Sequence, residues 1–336
     1  MSIQRILLST TALVGLGVAS INSAQAQLEV NLNGFLGVRG AFGDLQESEG
    51  GNEDSVDFSN DTEIHVNARG TADNGIRYGL TVEFEADTNR TGNTDETWIF
   101  FEGDFGGVRL GDEDGASDNM KVGGFSVAAG TGGIDGAVVG IPFGPSNSGD
   151  QTKVRYDGTF GPVQVGISYT PNDSGGDQLG QTNDDSYKNL VEGGVVLAPD
   201  FGEGFDLVAS IVGGIADDTG GGQDFETIMA GAQFGIAGFS FAGGIGTEDW
   251  DGDERDYFNL GVGATFGGVN TSVTYGYNDI DPNQGNDSEV QDLVVSADIG
   301  LLPGVVLAGD LHFFDFDDNG GRDDGVAGVV RLRTAF

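Results

Sequence analysis

The chain has 336 residues, no cysteine, two histidines, and 54 acidic residues against 14 basic ones, for a net charge of −40. These counts exclude disulfide frameworks, thiolate metal sites and cysteine nucleophiles, and they oppose binding to nucleic acid, whose phosphates the charge repels. The 61 glycines far exceed the usual ~7% without a collagen period, and the 22 Phe argue for a folded β protein over disorder.

Residues 1–26 come first and read as a secretory signal peptide. Arg5 gives a positive start, Ile6–Ser20 is apolar and uncharged, and Ala24-Gln25-Ala26 supplies a small-x-small cleavage pattern. The apolar run is shorter than the ~20 residues a spanning helix needs. Cleavage is expected before Gln27. It removes one base and no acid, so the mature domain, 27–336, is slightly more acidic than the whole chain.

Strands follow. In Leu28–Arg39, Leu28, Val30, Leu32, Leu36 and Val38 alternate with Glu29, Asn31, Asn33 and Arg39. Thr62–Arg69 sets Ile64, Val66 and Ala68 against Glu63, His65, Asn67 and Arg69. Ile76–Ala86 sets Ile76, Tyr78, Leu80, Val82 and Phe84 against Arg77, Thr81, Glu83 and Glu85. Period two over such lengths is a strand with one apolar and one polar face. The pattern recurs to the C-terminus, giving about sixteen strands.

The connections alternate as well. Asp73–Gly75, Phe105–Gly107, Phe160–Pro162, Gly235–Gly238, Phe266–Gly268 and Leu301–Gly304 are tight and glycine-rich. Gly43–Asn60, Asn172–Asp185, Thr247–Arg255, Asp279–Glu289 and Asp317–Gly325 are long, polar and acidic. Short turns on one side and long loops on the other describe an up-and-down antiparallel meander. Secretion, an even strand count and one-sided loops favour an all-β, 16-stranded transmembrane barrel over a soluble sandwich. Closure removes the sheet edges that lipid would leave unpaired.

The segments VNLNGFLGVRGAF (Val30–Phe42), WIFFEGDFGGVRLGDEDGA (Trp98–Ala116) and KVRYDGTFGPVQVGISY (Lys153–Tyr169), with the terminal Phe336, carry a family likeness. The chain resembles the general diffusion porins of Gram-negative bacteria, in particular the alphaproteobacterial trimeric type. The resemblance implies an outer-membrane homotrimer that passes small hydrophilic solutes and ions and contacts outer-membrane lipid and lipopolysaccharide. It also implies that the C-terminal aromatic strand is read by the insertion machinery.

The connection 114–152 is the longest. Val122–Gly149 holds Phe125, Val127, Ile134, Val138, Val139, Ile141 and Phe143 with a single charge, Asp135. So apolar a loop should pack against something. In the family resembled, the third loop folds into the barrel and constricts it. The enteric tip motif Pro-Glu-Phe-Gly has its nearest counterpart in Gly140-Ile141-Pro142-Phe143-Gly144, which lacks the acid. Glu113, Asp114, Asp118 and Asp135 are the candidate pore-facing carboxylates. Parity puts Arg39, Arg69, Arg77, Arg331 and Arg333 inside on four contiguous strands, as a basic ladder that would set up a transverse field across a constriction.

Asp249, Asp251 and Asp253 resemble a calcium loop, but Glu254 stands where the turn requires Gly. The motif is not an EF-hand. No cofactor is required by this reading, although structural Ca²⁺ on the acidic rim is a possibility that the loop carboxylates raise. Three other readings stand beside the diffusion channel. A substrate-specific channel would want an inward aromatic track, whereas most aromatics here have lipid-facing parity. A secreted calcium-dependent adhesin would show nonapeptide repeats, which are missing. An outer-membrane enzyme would need a nucleophile beside His65 or His312, and no serine motif flanks either.

Overall fold

In a computed structural model the chain forms a closed antiparallel barrel. The structure describes residues 28–44, 56–85, 94–135, 143–146, 148–149, 151–172, 187–202, 204–218, 223–250, 253–282, 287–318 and 321–336. The strands are β1 (Glu29–Gly43), β2 (Val56–Thr71), β3 (Arg77–Glu85), β4 (Thr97–Gly103), β5 (Gly106–Glu113), β6 (Gln151–Phe160), β7 (Val163–Asn172) and β8 (Tyr187–Leu197). They continue as β9 (Phe205–Asp218), β10 (Phe225–Ile236), β11 (Phe239–Trp250), β12 (Asp253–Phe266), β13 (Val269–Asp281), β14 (Ser288–Leu302), β15 (Val305–Asp318) and β16 (Gly321–Ala335). Each strand pairs with its sequence neighbours, and β16 returns to β1. The seam runs from Gly43↔Ala327 to Phe35↔Ala335. It ends with Phe336, which exchanges backbone hydrogen bonds with Gly34 at 3.1 and 3.2 Å.

The apolar parity faces outward. Val30, Leu32, Phe58, Ile211, Ile245 and Leu302 are among its most exposed members, at 59–75%. So wide an apolar surface has no place in water and suits hydrocarbon. Near the short turns the belt is aromatic. Phe239 lies 6.1 Å from Phe266 and Phe234 stacks 5.1 Å from Phe241. The short turns use glycine where the chain must reverse with positive φ, as at Gly75 (+84°) and Gly161 (+60°).

Strand boundaries differ from the sequence reading at the long-loop end. β2 begins at Val56, paired with Phe42, although the expected loop ran to Asn60. Val56 and Phe58 continue the outward series, but Asn60 and Thr62 interrupt it and hide the strand. Likewise β11 and β12 extend to the pair Trp250↔Asp253, well inside the expected Thr247–Arg255 loop. The signal segment 1–26 lies outside the described residues.

Between β5 and β6 the chain forms helix α1 (Ala116–Met120) and two 3₁₀ turns, Gly124–Val127 and Gly133–Asp135. Their neighbours are the inward faces of successive strands: β6–β9 for α1, β10–β13 for the first turn, and β13 and β14 for the second. Here the inner wall is not purely polar. Ile134 and Phe143 join Val290, Val294, Phe314, Phe316 and Ala327 in one buried cluster. Met120 joins Val196, Val212, Met229 and Tyr257 in another. Burying a side chain such as Phe143 contributes about 1.5–3 kcal/mol, so the apolar composition of this segment is what holds it to the wall.

Candidate functional site

The described part of the 114–152 segment is also fastened by polar side chains of the wall. The Ala116 N–H donates to Ser168 Oγ at 3.0 Å and the Ser117 hydroxyl to Glu192 at 2.7 Å. The Val122 N–H donates to Ser210 (3.0 Å), Gly124 to Asn259 (2.6 Å), Ala129 to Ser272 (2.8 Å) and Gly130 to Asp298 (3.0 Å). Thr131 donates to Asp310 through both its N–H and its hydroxyl. On the return, Ser146 binds Glu248, Ser148 binds Glu192, and Arg255 donates to the Gly144 carbonyl at 2.8 Å. Inward glycines allow the close approach. A Cβ at Gly276 would stand 2.4 Å from the Phe143 ring.

These contacts cover the wall from β6 to β15. Among the described residues, the remaining arc, β16 through β5, meets the segment where Arg331 reaches the Gly130 carbonyl at 3.4 Å and where Ala327 joins the cluster of Ile134 and Phe143. The open lumen is therefore bounded by the strapped segment on one side and this arc on the other. The arc carries all five arginines expected from parity, but at two levels. Arg39, Arg331 and Arg333 form the upper group. Arg39 pairs directly opposite Arg331 and is ion-paired to Asp61, while Arg333 stacks on the Phe35 ring at 3.7 Å. Arg69 and Arg77 lie at the short-turn end with Arg109, around a cavity of ≈ 370 Å³ that Trp98 and Phe100 also line. Arg69 pairs opposite Glu29, ten residues along β1 from Arg39, or about 33 Å of strand.

In the lower group Arg77 meets Glu102 at 2.9 Å, though its side chain is 68% exposed, so that pair adds little stability. Arg69 lies over Phe100 at 5.9 Å from the ring centre. Trp98, Phe100 and Phe35 therefore face inward, a minority beside the aromatics of lipid-facing parity. The pairing register Trp98↔Thr81 and Phe100↔Gly79 sets that orientation.

The four expected carboxylates have different surroundings. Glu113 is buried at the end of β5 between Arg109 (3.0 Å) and Arg155 (3.9 Å), and so clamps the base of the segment. The Asp114 carbonyl accepts from Arg155 at 3.4 Å. Asp118 pairs with Lys121. Burial works against the Lys121 ammonium, but Asp118, with Asp135 and Asp114 beyond it, outweighs that and holds it above the ordinary lysine value. Asp135 is exposed on the second 3₁₀ turn. Of the three aspartates with calcium-loop spacing, Asp249 is in β11 and Asp253 opens β12. Asp251 lies outside the described residues. Both histidines have carboxylate partners. His312 is buried 2.7 Å from Asp292, and His65 lies between Glu63 and Glu83.

A closed barrel with an apolar exterior, a polar interior and one connection strapped to its inner wall defines a membrane channel of the porin class. The sequence matches the model of the Gram-negative porin family over residues 9–319, and the chain belongs to that family. Solved structures agree in fold. The anion-selective porin from Comamonas acidovorans is 19% identical with a TM-score of 0.67, and the match covers 92% of this chain and 100% of that one. The loop L8 deletion mutant of OmpT, an outer membrane protein of Vibrio cholerae, is 14% identical with a TM-score of 0.71 over the same shares. A mutant of the Rh. blastica porin is 16% identical with a TM-score of 0.63, again covering 92% and 100%. No curated protein matches by sequence.

Proposed function

We propose that the protein is a general diffusion porin of the outer membrane, a water-filled passage for small hydrophilic solutes and ions. The observation that carries the reading is the strapped segment. It is fixed to the β6–β15 wall and leaves a passage bounded by the β16–β5 arc. In this reading 114–152 is the constriction loop. The upper arginines face it, and Asp135 is its exposed acid among the described residues.

In this reading solutes are sorted by water solubility and size. Mixed charges order water in the passage, which apolar solutes displace only at a cost. The family and fold are those of a channel, and no catalytic residue is assigned. We further read the native state as a homotrimer, since one of the Vibrio cholerae OmpT structures is described as a trimer form. Export uses residues 1–26, with cleavage before Gln27. Acidic residues at the long-loop end, such as Asp44, would face lipopolysaccharide phosphates across divalent cations, calcium included.

Purified protein in a planar bilayer tests the reading. Stepwise ohmic conductance and permeation of small uncharged sugars into liposomes are expected. Absence of conductance from folded protein would overturn the channel, and saturable transport of one sugar alone would replace it with a specific channel. Migration as a monomer on unheated gels would remove the trimer.

A further inference from the structure

We propose that Glu63, His65 and Glu83 form a binding site for a first-row divalent transition cation on the lumen wall. The β register fixes the three residues. His65 on β2 is directly opposite Glu83 on β3, and Glu63 precedes His65 by two residues on the same inward face. Cross-strand partners and i,i+2 neighbours hold their Cβ atoms within reach of one another.

One donor atom from each residue lies within 4.8 Å of the other two. His65 Nε2 is 3.3 Å from a Glu63 oxygen and Nδ1 is 3.5 Å from Glu83. At metal–ligand distances near 2.1 Å, two ligands of a tetrahedral ion lie about 3.4 Å apart, so the Nε2–Glu63 spacing already suits a shared cation. Nε2 is buried and makes no hydrogen bond, which leaves its lone pair available. Among the described residues neither Glu63 nor Glu83 pairs with Lys or Arg, and each has a carboxylate oxygen within 3.5 Å of the His65 ring. Two carboxylates facing each other without a fixed cation are a standing repulsion that a divalent ion relieves.

The donor chemistry selects the ion. Imidazole with carboxylates suits zinc and its first-row neighbours, whereas Ca²⁺ needs six to eight oxygens. Water completes the shell from the lumen side. The site is on the open arc, between the upper arginines and the Arg69 group, so it borders the passage itself. A bound divalent cation makes this stretch of the wall more positive, and the channel's preference shifts toward anions.

Isothermal titration of the folded, detergent-solubilised protein with ZnCl₂ tests the site. One Zn²⁺ per chain is expected, with binding weakened in each of H65A, E63Q and E83Q by at least the about 10–100-fold that loss of an outer-shell partner alone costs, and with CaCl₂ far weaker than ZnCl₂. Each variant is checked for heat-modifiable migration, so one that fails to fold leaves two that report. Equal Zn²⁺ affinity in the folded variants, Ca²⁺ binding as tight as Zn²⁺, or no Zn²⁺ binding to the unaltered protein would overturn the proposal. The selectivity effect rests on the channel reading and is read separately, as a Zn²⁺-induced shift in reversal potential that H65A lacks. A protein that binds Zn²⁺ but never conducts would sink the channel and leave the site. One that conducts with selectivity indifferent to bound Zn²⁺ would sink the regulatory effect alone.

Discussion

Glu192 is the point at which both ends of the strapped segment are tied, and Glu192→Ala should release it. The carboxylate is 1% exposed and accepts from the Ser117 hydroxyl at 2.7 Å and from the Ser148 hydroxyl. A longer contact comes from the Ser148 N–H at 3.3 Å. Hydrogen bonds to a charged group contribute about 1.5–3 kcal/mol each. The two hydroxyl bonds together are therefore worth about 3–6 kcal/mol, and hydration of the freed serines from the lumen brings the loss toward the lower end. About 3 kcal/mol raises the undocked population by about 100-fold, since each 1.4 kcal/mol is tenfold. Lys121 is the one trypsin-sensitive position between Asp114 and Thr152. When undocking is fast relative to cleavage, the rate follows the open population, so cleavage after Lys121 should rise about 100-fold in the variant. The barrel should stay folded, because its strand ladders are untouched. Glu192→Gln keeps one acceptor oxygen and should fall between the two. An Ala variant with intact β signal and unchanged Lys121 cleavage would refute the anchoring role.

Gly276→Val places a branched side chain where a single Cβ already comes within 2.4 Å of the Phe143 ring. It should expel the ring, raise open-channel noise and speed Lys121 cleavage in the same assay. Ion preference should depend on salt. At ~0.15 M each field reaches only ~8 Å and at 0.01 M ~30 Å, so cation selectivity, measured as reversal potential in a salt gradient, should strengthen on dilution. Joint removal of Arg77 and Arg331 should increase it at both concentrations, and anion selectivity that grows on dilution would contradict this. Lys121 also gives a pH signature. A raised folded value means its ion pair with Asp118 stabilises the folded form of the segment fully below the ordinary lysine pKa of ~10.4, and that contribution is lost as pH rises through the raised one. Protection of the segment, followed by hydrogen exchange, should therefore hold at neutral pH and decline only in strong alkali, and earlier loss would contradict it.

The strand plan was legible because lipid and water impose opposite demands on alternate residues, as in Ile76–Ala86. The inward segment was legible for a related reason, its excess of apolar residues. Its docking surface was hidden. Val294, Phe314 and Met229 lie on inward parity, where an apolar residue breaks the alternation unless a partner far along the chain is known. The two-level arrangement of arginines was hidden too. Parity within each strand says which face Arg39 and Arg69 share, but their height depends on the register between strands. The same register joins His65 to Glu83 across β2 and β3, an arrangement invisible when each strand is read alone.

The anchors of the strapped segment also imply an order of assembly. Moving from Ala116 to Thr131, the partners lie ever further along the chain: 52 residues to Ser168, 75 to Glu192, 88 to Ser210, 135 to Asn259, 143 to Ser272, 168 to Asp298 and 179 to Asp310. Each added strand presents the next anchor, so docking proceeds like a zipper that follows the growing wall. Closing so long a loop is entropically unfavourable when done in one step, whereas here each anchor shortens the span to the next. The segment near Gly130 and Thr131 cannot settle until β14 and β15 are in place. The constriction therefore builds together with the wall, and its completion waits for the last strands.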